Sequence, residues 1–330
     1  MGSIVWNLEN CVNTILDIIV IKTGIVISED YLIEILNHDF PNSYFENYSI
    51  RKNNAVRIRS EKFDEICWSV RKRLGELEKN SPLFIQNIDK ILVWEEQGIC
   101  YSSLCRKILQ MMSDIYNPNN PQFIDPKPII DQLVSENEYP IEVIVEAFKD
   151  ILHNQTMSNT IKPVEEILWD GGISLSDLFE KEHIPLKEDE FIDQKFINYL
   201  QANPEKLQYM HWRNFERLTA EYFNRQDFEI ELGPGSNDGG IDIRVYNTTN
   251  KEKPYIIIQC KRHKESHEVK IETVKAFYAD LLFEDAEKGL IATTSKIATG
   301  GKKAISIRKY PLNYAENKEI TDWVNKMSKR

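Results

Sequence analysis

Apolar positions in the first part of the chain recur at helical steps. Phe63, Ile66, Val70, Leu74 and Leu77 follow three- and four-residue intervals, the spacing of one buried helix face. Ile33, Ile35 and Leu36 keep a similar rhythm after Ser28-Glu-Asp30, a helix start. A further amphipathic helix opens at Pro140 and runs through Phe148. Between these stretches, Asn117-Pro-Asn-Asn-Pro121, Pro126 and Pro128 interrupt the pattern and suggest a subdivision near 117–128.

The pattern changes in the second half. Asn203-Pro204-Glu205 predicts a helix start, with a helix continuing through Trp212, Phe215, Leu218, Thr219 and Tyr222. Short strand-like runs follow at Phe228–Leu232, Ile241–Tyr246 and Tyr255–Lys261. Next come a helix over 269–283, a strand over 289–293, a basic helix near 302–309 and a closing helix over 319–327. The expected fold is α+β, with a mostly helical region over 1–193. Over 194–330 it is an α/β domain whose mixed sheet carries helices on both faces.

Composition refines this picture. Six Trp, 14 Tyr and 14 Phe in 330 residues supply the apolar mass of folded domains and exclude an acidic disordered chain. A net charge of −11 argues at first against a nucleic-acid partner. That charge is unevenly spread: residues 1–200 carry −14 and residues 201–330 carry +3. An acidic region joined to a basic one suggests that the first keeps polyanions away from the second until relieved. The apolar run from Ile15 to Ile27 is broken by Asp17 and Lys22, so neither a signal peptide nor a membrane span is expected there. Five scattered cysteines read as free thiols of a cytoplasmic protein. His38, His153 and His183 are isolated, and nothing before residue 190 carries nameable chemistry.

Candidate chemistry lies in three segments. Gly233-Pro-Gly-Ser-Asn-Asp238-Gly-Gly-Ile-Asp242 is a glycine-rich turn entering a strand, Gln259-Cys260-Lys261-Arg262 ends the next strand, and Glu216 lies on the preceding helix. Side chains alternate along strands, so Gln259 and Lys261 share a face, and Asp242 joins them if the two strands pair. A carboxylate, an amide oxygen and an ammonium there suit a hard divalent cation with a charged neighbour, a combination useful for breaking a phosphodiester.

With the residues in that order, the segment from about 204 to 330 resembles the catalytic domain of Mrr-type restriction endonucleases, in the PD-(D/E)xK nuclease superfamily. The resemblance rests on Phe215-Glu216, Asp238-Gly-Gly-Ile-Asp242-Ile, Gln259-Cys-Lys261-Arg and Gly289-Leu-Ile-Ala-Thr-Thr-Ser295. It implies an αβββαβ core and Mg²⁺-dependent hydrolysis of DNA, with Mn²⁺ as a substitute. Restriction or antiviral defence is the implied role, with residues 1–193 recognising a target or regulating access. Asp242 would bind the metal, Lys261 would be the catalytic lysine, and Gln259 would stand where most of the superfamily has Glu or Asp. Glu216 would add a further ligand, and Asp238 would either join the site or form the turn. Arg244, Arg262, Lys264, Lys296, Lys302 and Lys303 are the expected DNA contacts. Cleaving both strands with one site per chain favours a homodimer or larger assembly. Two alternatives stand beside this reading: a DNA-binding module with a vestigial site, and a nuclease acting on RNA or branched DNA.

Overall fold

The computed structural model of the protein describes residues 3–76, 83–115, 126–159, 171–184, 186–235, 239–247 and 252–328. In chain order, β1 (Ser3–Asn7), α1 (Leu8–Thr23), β2 (Ile25–Val26), α2 (Glu29–Asp39), α3 (Tyr48–Arg51), β3 (Ala55–Arg59) and α4 (Ser60–Arg73) come first. Helices α5 (Leu83–Glu96), α6 (Tyr101–Ile115), α7 (Lys127–Glu136) and α8 (Ile141–Asn159) follow. Then come β4 (Ile173–Ser174), α9 (Asp177–Glu180), α10 (Gln194–Ala202), a short 3₁₀ helix (Pro204–Tyr209) and α11 (Trp212–Asn224). The last part holds β5 (Glu229–Leu232), β6 (Ile243–Tyr246), β7 (Ile256–Lys261), β8 (Glu268–Val269), α12 (Ile271–Phe283), β9 (Lys288–Thr293), β10 (Lys296–Ile297), α13 (Thr299–Arg308), β11 (Leu312–Ala315) and α14 (Asn317–Met327). Among the described residues no helix is long and apolar enough to cross a membrane.

The chain divides into two compact units. One comprises Met1–Asn7, Asn54–Trp68 and Glu78–Asp170; the other comprises Leu8–Asn53, Ser69–Leu77 and Gly171–Arg330. In the first, Leu104 and Ile108 of α6, Ile129 and Leu133 of α7, and Ile144 and Phe148 of α8 form a helical core. Its two-stranded ladder was not expected. β1 and β3 pair antiparallel, with Val56 and Ile58 buried while Arg57 and Arg59 face out. Buried and exposed positions alternate strictly along β3, with charged side chains on the outer face. Of the break expected near 117–128, residues 117–125 lie outside the described residues, and Pro126 and Pro128 stand at the start of α7.

The second unit is built on a five-stranded mixed sheet in the order β11-β9-β7-β6-β5. β7 is central, antiparallel to β6 and parallel to β9. Its run Ile256-Ile-Ile-Gln-Cys-Lys261 is apolar on both faces at first because both faces are covered. Ile257 and Ile291 pack with Val274, Phe277 and Leu281 of α12 in one core layer, and α11 covers the other face. β5 at the edge keeps Glu229 and Glu231 outward, which disfavours pairing with another chain. The αβββαβ order expected from the sequence is present, extended by β11, a four-residue strand after Pro311 with no alternation to read.

Ser28 caps α2 through its side chain, as its position suggested. The helix start at Asn203-Pro204 is corrected. It opens only the 3₁₀ helix, which stops at Met210, where the backbone is extended. A separate α11 then begins under a cap from the ring of His211, whose Nδ1 accepts from the Arg213 N–H. Burial of Leu207 and Met210 fixes this corner.

The corner is also tied to α9. Fully buried Asn214 donates from Nδ2 toward the carbonyls of Asp177, Leu178 and Lys181 at 3.1, 2.9 and 3.1 Å. The Asp177 carbonyl also accepts the Lys181 N–H at 3.2 Å and the Leu178 carbonyl the His211 N–H at 3.0 Å, so Asn214 adds to these bonds and ties α9 to α11. Asn214→Leu is expected to destabilise the second unit by about 1–3 kcal/mol, the cost of losing buried hydrogen bonds. A lowered urea midpoint with an unchanged slope would register it.

Candidate active site

The site forms where β7 leaves the sheet. Ile243 pairs with Ile258, and Asp242, just before β6, donates its N–H to the Ile258 carbonyl at 3.0 Å. The Asp242 carboxylate then turns onto β7, where Oδ2 accepts the Cys260 N–H at 2.5 Å. Asp242 thus occupies a ladder position that no neighbouring backbone carbonyl fills. Its residue is 8% exposed and that of Gln259 is 6% exposed.

Gln259 is oriented by the glycine turn. Its Nε2 donates to the Gly240 carbonyl at 2.8 Å, a partner that only the amide nitrogen can satisfy. The amide oxygen Oε1 therefore points elsewhere, and it is buried with no hydrogen-bond partner among the described residues. Gly240 makes this possible in two ways. Its φ is +88°, and a Cβ there would lie 3.2 Å from Gln259 Nε2 and 3.4 Å from Asp280 Oδ2.

Asp280 of α12 is a neighbour that sequence reasoning missed. Burial raises its carboxyl above the ordinary range, and Glu284 adds to the rise. The available signal was its place between inward-facing Phe277 and Leu281.

Lys261 follows Gln259 on the same face by strand alternation, and its pairing with Thr293 fixes the exit of β7. Hydroxyls hold that exit. Thr293 Oγ1 donates to the Lys261 carbonyl at 2.7 Å, and Thr294 Oγ1 donates to the His263 carbonyl at 2.7 Å while accepting the His263 N–H at 2.9 Å. Burial lowers the His263 imidazole from its ordinary value, and Lys261, His267 and Arg262 lower it further. This favours a neutral ring beside the lysine.

Glu216 lies on α11. Its Oε2 accepts from Arg213 Nη1 at 2.7 Å, and Arg213 Nη2 donates at 2.7 Å to the Gly233 carbonyl. Glu216 thereby steadies the guanidinium that clamps the glycine turn. Burial pushes the Cys260 thiol far up, with Asp242 and then Glu216 as further causes, so both carboxylates lie near that sulfur. Asp238 lies outside the described residues. Among those described, no group of three or more His, Cys, Asp or Glu is placed to hold a metal. The oxygens gathered at the exit are one carboxylate and one amide. An orphaned buried amide oxygen, one residue from the Cys260 N–H that the Asp242 carboxylate accepts, fits a hard divalent cation with Asp242 and Gln259 Oε1 as its protein donors.

The expected DNA contacts divide. Arg244 makes a fork to Glu284, Nε to Oε2 and Nη2 to Oε1, both at 2.9 Å. Lys302 bonds Glu316 at 2.7 Å. Arg262 reaches the Gln208 carbonyl at 3.4 Å, with its Nε buried and unpartnered among the described residues. Lys264, Lys296 and Lys303 are exposed.

The sheet, its flanking helices and this strand exit make an α+β domain with a mixed five-stranded sheet. Residues 207–324 match the family model described as a restriction endonuclease, the Mrr catalytic model, so the resemblance seen in the sequence is borne out over that segment. A curated relative, the uncharacterized protein y4cE of Sinorhizobium fredii, is 25% identical over 119 residues. The match covers 36% of this chain and 30% of the relative, so the chain spans less than a third of that protein's length. Among solved structures, the MspJI restriction endonuclease in complex with a 27-mer oligonucleotide aligns with 18% identity and a TM-score of 0.32, covering 44% of this chain and 35% of that one.

Two substitutions test the geometry itself. Gly240→Ala is expected to cost about 1–2 kcal/mol from its left-handed backbone alone and to displace the Gln259 amide. Thr294→Val removes both hydroxyl bonds to His263. It should raise amide exchange at 261–265 by about fivefold, in line with loss of roughly 1 kcal/mol of hydrogen bonding. Thermal unfolding and hydrogen-exchange mass spectrometry read the two effects.

Proposed function

We propose that residues 194–330 form a metal-dependent DNA endonuclease of restriction or antiviral defence, acting in the cytoplasm. Residues 1–193 would recognise the target or regulate access. The observation that carries the proposal is the buried Oε1 of Gln259, unpartnered among the described residues, on a residue whose two strand neighbours, Ile258 and Cys260, both bond Asp242. The amide oxygen and the Asp242 carboxylate are both oxygen donors of the kind Mg²⁺ and Mn²⁺ accept. When bound, the ion would neutralise charge on the scissile phosphate and acidify a water molecule.

The chain's own groups do the rest. Lys261 supplies a positive charge where negative charge develops in the transition state. Thr293 and Thr294 hold the backbone from which Lys261 projects, so the ammonium has a fixed origin. Arg213, steadied by Glu216, keeps the glycine turn in place and with it the Gly240 carbonyl that orients Gln259. Lys264, Lys296 and Lys303 are available for phosphate contacts, which position a duplex without reading its sequence. Arg244 and Lys302 already serve intrachain carboxylates and would contribute little to DNA affinity.

The test is cleavage of supercoiled plasmid, modified DNA and phage DNA by the full chain with Mg²⁺ or Mn²⁺. Cleavage should stop on chelation and fall by about 100-fold or more in Asp242→Ala and in Lys261→Ala, the scale of losing one transition-state charge contact. Absence of cleavage on all three substrates with either ion overturns the proposal. Each alanine at Lys264, Lys296 or Lys303 should weaken DNA binding uniformly across sequences. Each should also reduce the salt dependence by about one counterion, whereas Arg244→Ala should chiefly lower stability.

A further inference from the structure

The second unit contains a cavity of about 610 Å³ whose walls come from β2, α2, β4, α9, α10 and the 3₁₀ helix, and none of its lining residues belongs to the candidate catalytic set. The volume lies within the usual range for small-molecule sites. Tyr31, Phe179, Tyr199 and Tyr209 line it with aromatic rings, Lys206 supplies a cation, and Glu34 and Glu180 supply acceptors. The Tyr31 and Tyr199 hydroxyls bond each other at 2.8 Å; the Tyr199 ring is buried, while the Tyr31 and Phe179 rings are half-buried. Lys206 Nζ sits 5.9 Å from the centre of the Tyr31 ring and makes no ion pair among the described residues. Tyr209 at the rim is 51% exposed, and Val26 is 40% exposed.

The exposed Tyr209 ring, with half-buried Tyr31 and Phe179 and the Lys206 ammonium in the same cavity, suits a flat heteroaromatic ring carrying an anion. Stacking is tolerant of ring identity, whereas the ammonium selects for the phosphate. Hydroxyl and carboxylate acceptors on the walls would receive the exocyclic amines of such a ring.

We propose that this cavity binds a nucleobase together with its phosphate, either as a free nucleotide or as part of a nucleic-acid strand. The walls also reach the candidate active site through two connections. Gln208 lies between the lining residues Lys206 and Tyr209, and its carbonyl accepts from Arg262 at 3.4 Å while its Oε1 accepts the Glu265 N–H at 3.1 Å. Both partners belong to the segment leaving Lys261. Phe179 and Glu180 line the cavity from α9, whose end carbonyls are held by Asn214, two residues before Glu216. A ligand that draws Lys206 and Tyr209 inward therefore acts on the loop after β7 and on α11 together. The binding stands independently of the nuclease reading; only its effect on catalysis rests on that reading.

The experiment is calorimetry on the full chain in EDTA, so that binding is measured without cleavage. The probes are AMP, GMP, CMP and TMP, adenosine, inorganic phosphate, a single-stranded oligonucleotide and its abasic counterpart. A base-bearing, phosphate-bearing probe should bind, with affinity reduced by about tenfold in Lys206→Ala and in Tyr209→Ala, the size of one charge contact or one stacking contact. Binding of the mononucleotides identifies a free ligand. Binding of the intact oligonucleotide alone, weakened in Lys206→Ala and Tyr209→Ala, identifies a strand at this cavity. Hydrogen exchange of residues 262–268 should slow on addition of the binding probe in the wild type and not in Lys206→Ala. The proposal is overturned if no probe binds or if both substitutions leave binding unchanged. Failure of plasmid cleavage would leave this result standing, so the two readings fail separately.

Discussion

A central strand buried on both faces must still dispose of its backbone polar groups where it leaves the sheet, and the candidate site is the solution to that requirement. At the end of β7 the ladder with β6 has run out, so the Cys260 N–H is met by the Asp242 carboxylate. The Lys261 carbonyl is met by the Thr293 hydroxyl, and both backbone groups of His263 by Thr294. Buried backbone groups left unmet would cost about 1–3 kcal/mol each. Side chains that satisfy the exit therefore stabilise the fold and, in the same positions, collect oxygens and cations at one place.

The glycine turn follows from the same constraint. For Asp242 to reach over β7, the chain before it has to turn tightly and pass close to Gln259. Gly240 permits this through its backbone conformation and its missing Cβ. Arg213 then pins the far end of the turn, and Glu216 pins Arg213. A helix glutamate that resembles a metal ligand in the sequence is thus a positioning group in its observed contacts. The arrangement places a carboxylate and an amide oxygen at the strand end while directing the other carboxylate toward a guanidinium.

Much of this architecture is legible in the amino-acid sequence. The αβββαβ order, the helix face with Phe277 and Leu281, the Ser28 cap and the ordered Asp242, Gln259 and Lys261 follow from periodicity and local chemistry. What escapes has identifiable physical causes. β11 buries its two ends and exposes the middle, so it shows no alternation to register. The stretch 51–59 that ends in β3 carries four cations around the buried Val56 and Ile58, so charge masks its pattern. The helix begun at Asn203 breaks at Met210 because two buried side chains and a histidine cap make a corner there, and propensity carries no record of that. Asp280 reads as one more surface acid until Gly240 is known to lie against it.

The linear chain determined which chemical groups were available and in what order, because strand and helix periods assign faces and glycine marks where the backbone must bend. Only the tertiary structure decided which of those groups were already committed. Arg244 and Lys302 look like phosphate ligands in the sequence and prove to be paired with Glu284 and Glu316, 40 and 14 residues away. Gln259 stands out in the sequence for its position alone, and it proves to hold a buried oxygen with no partner among the described residues. Whether a polar group is satisfied depends on neighbours brought together by packing across long loops, and that information does not reside in any local stretch of chain.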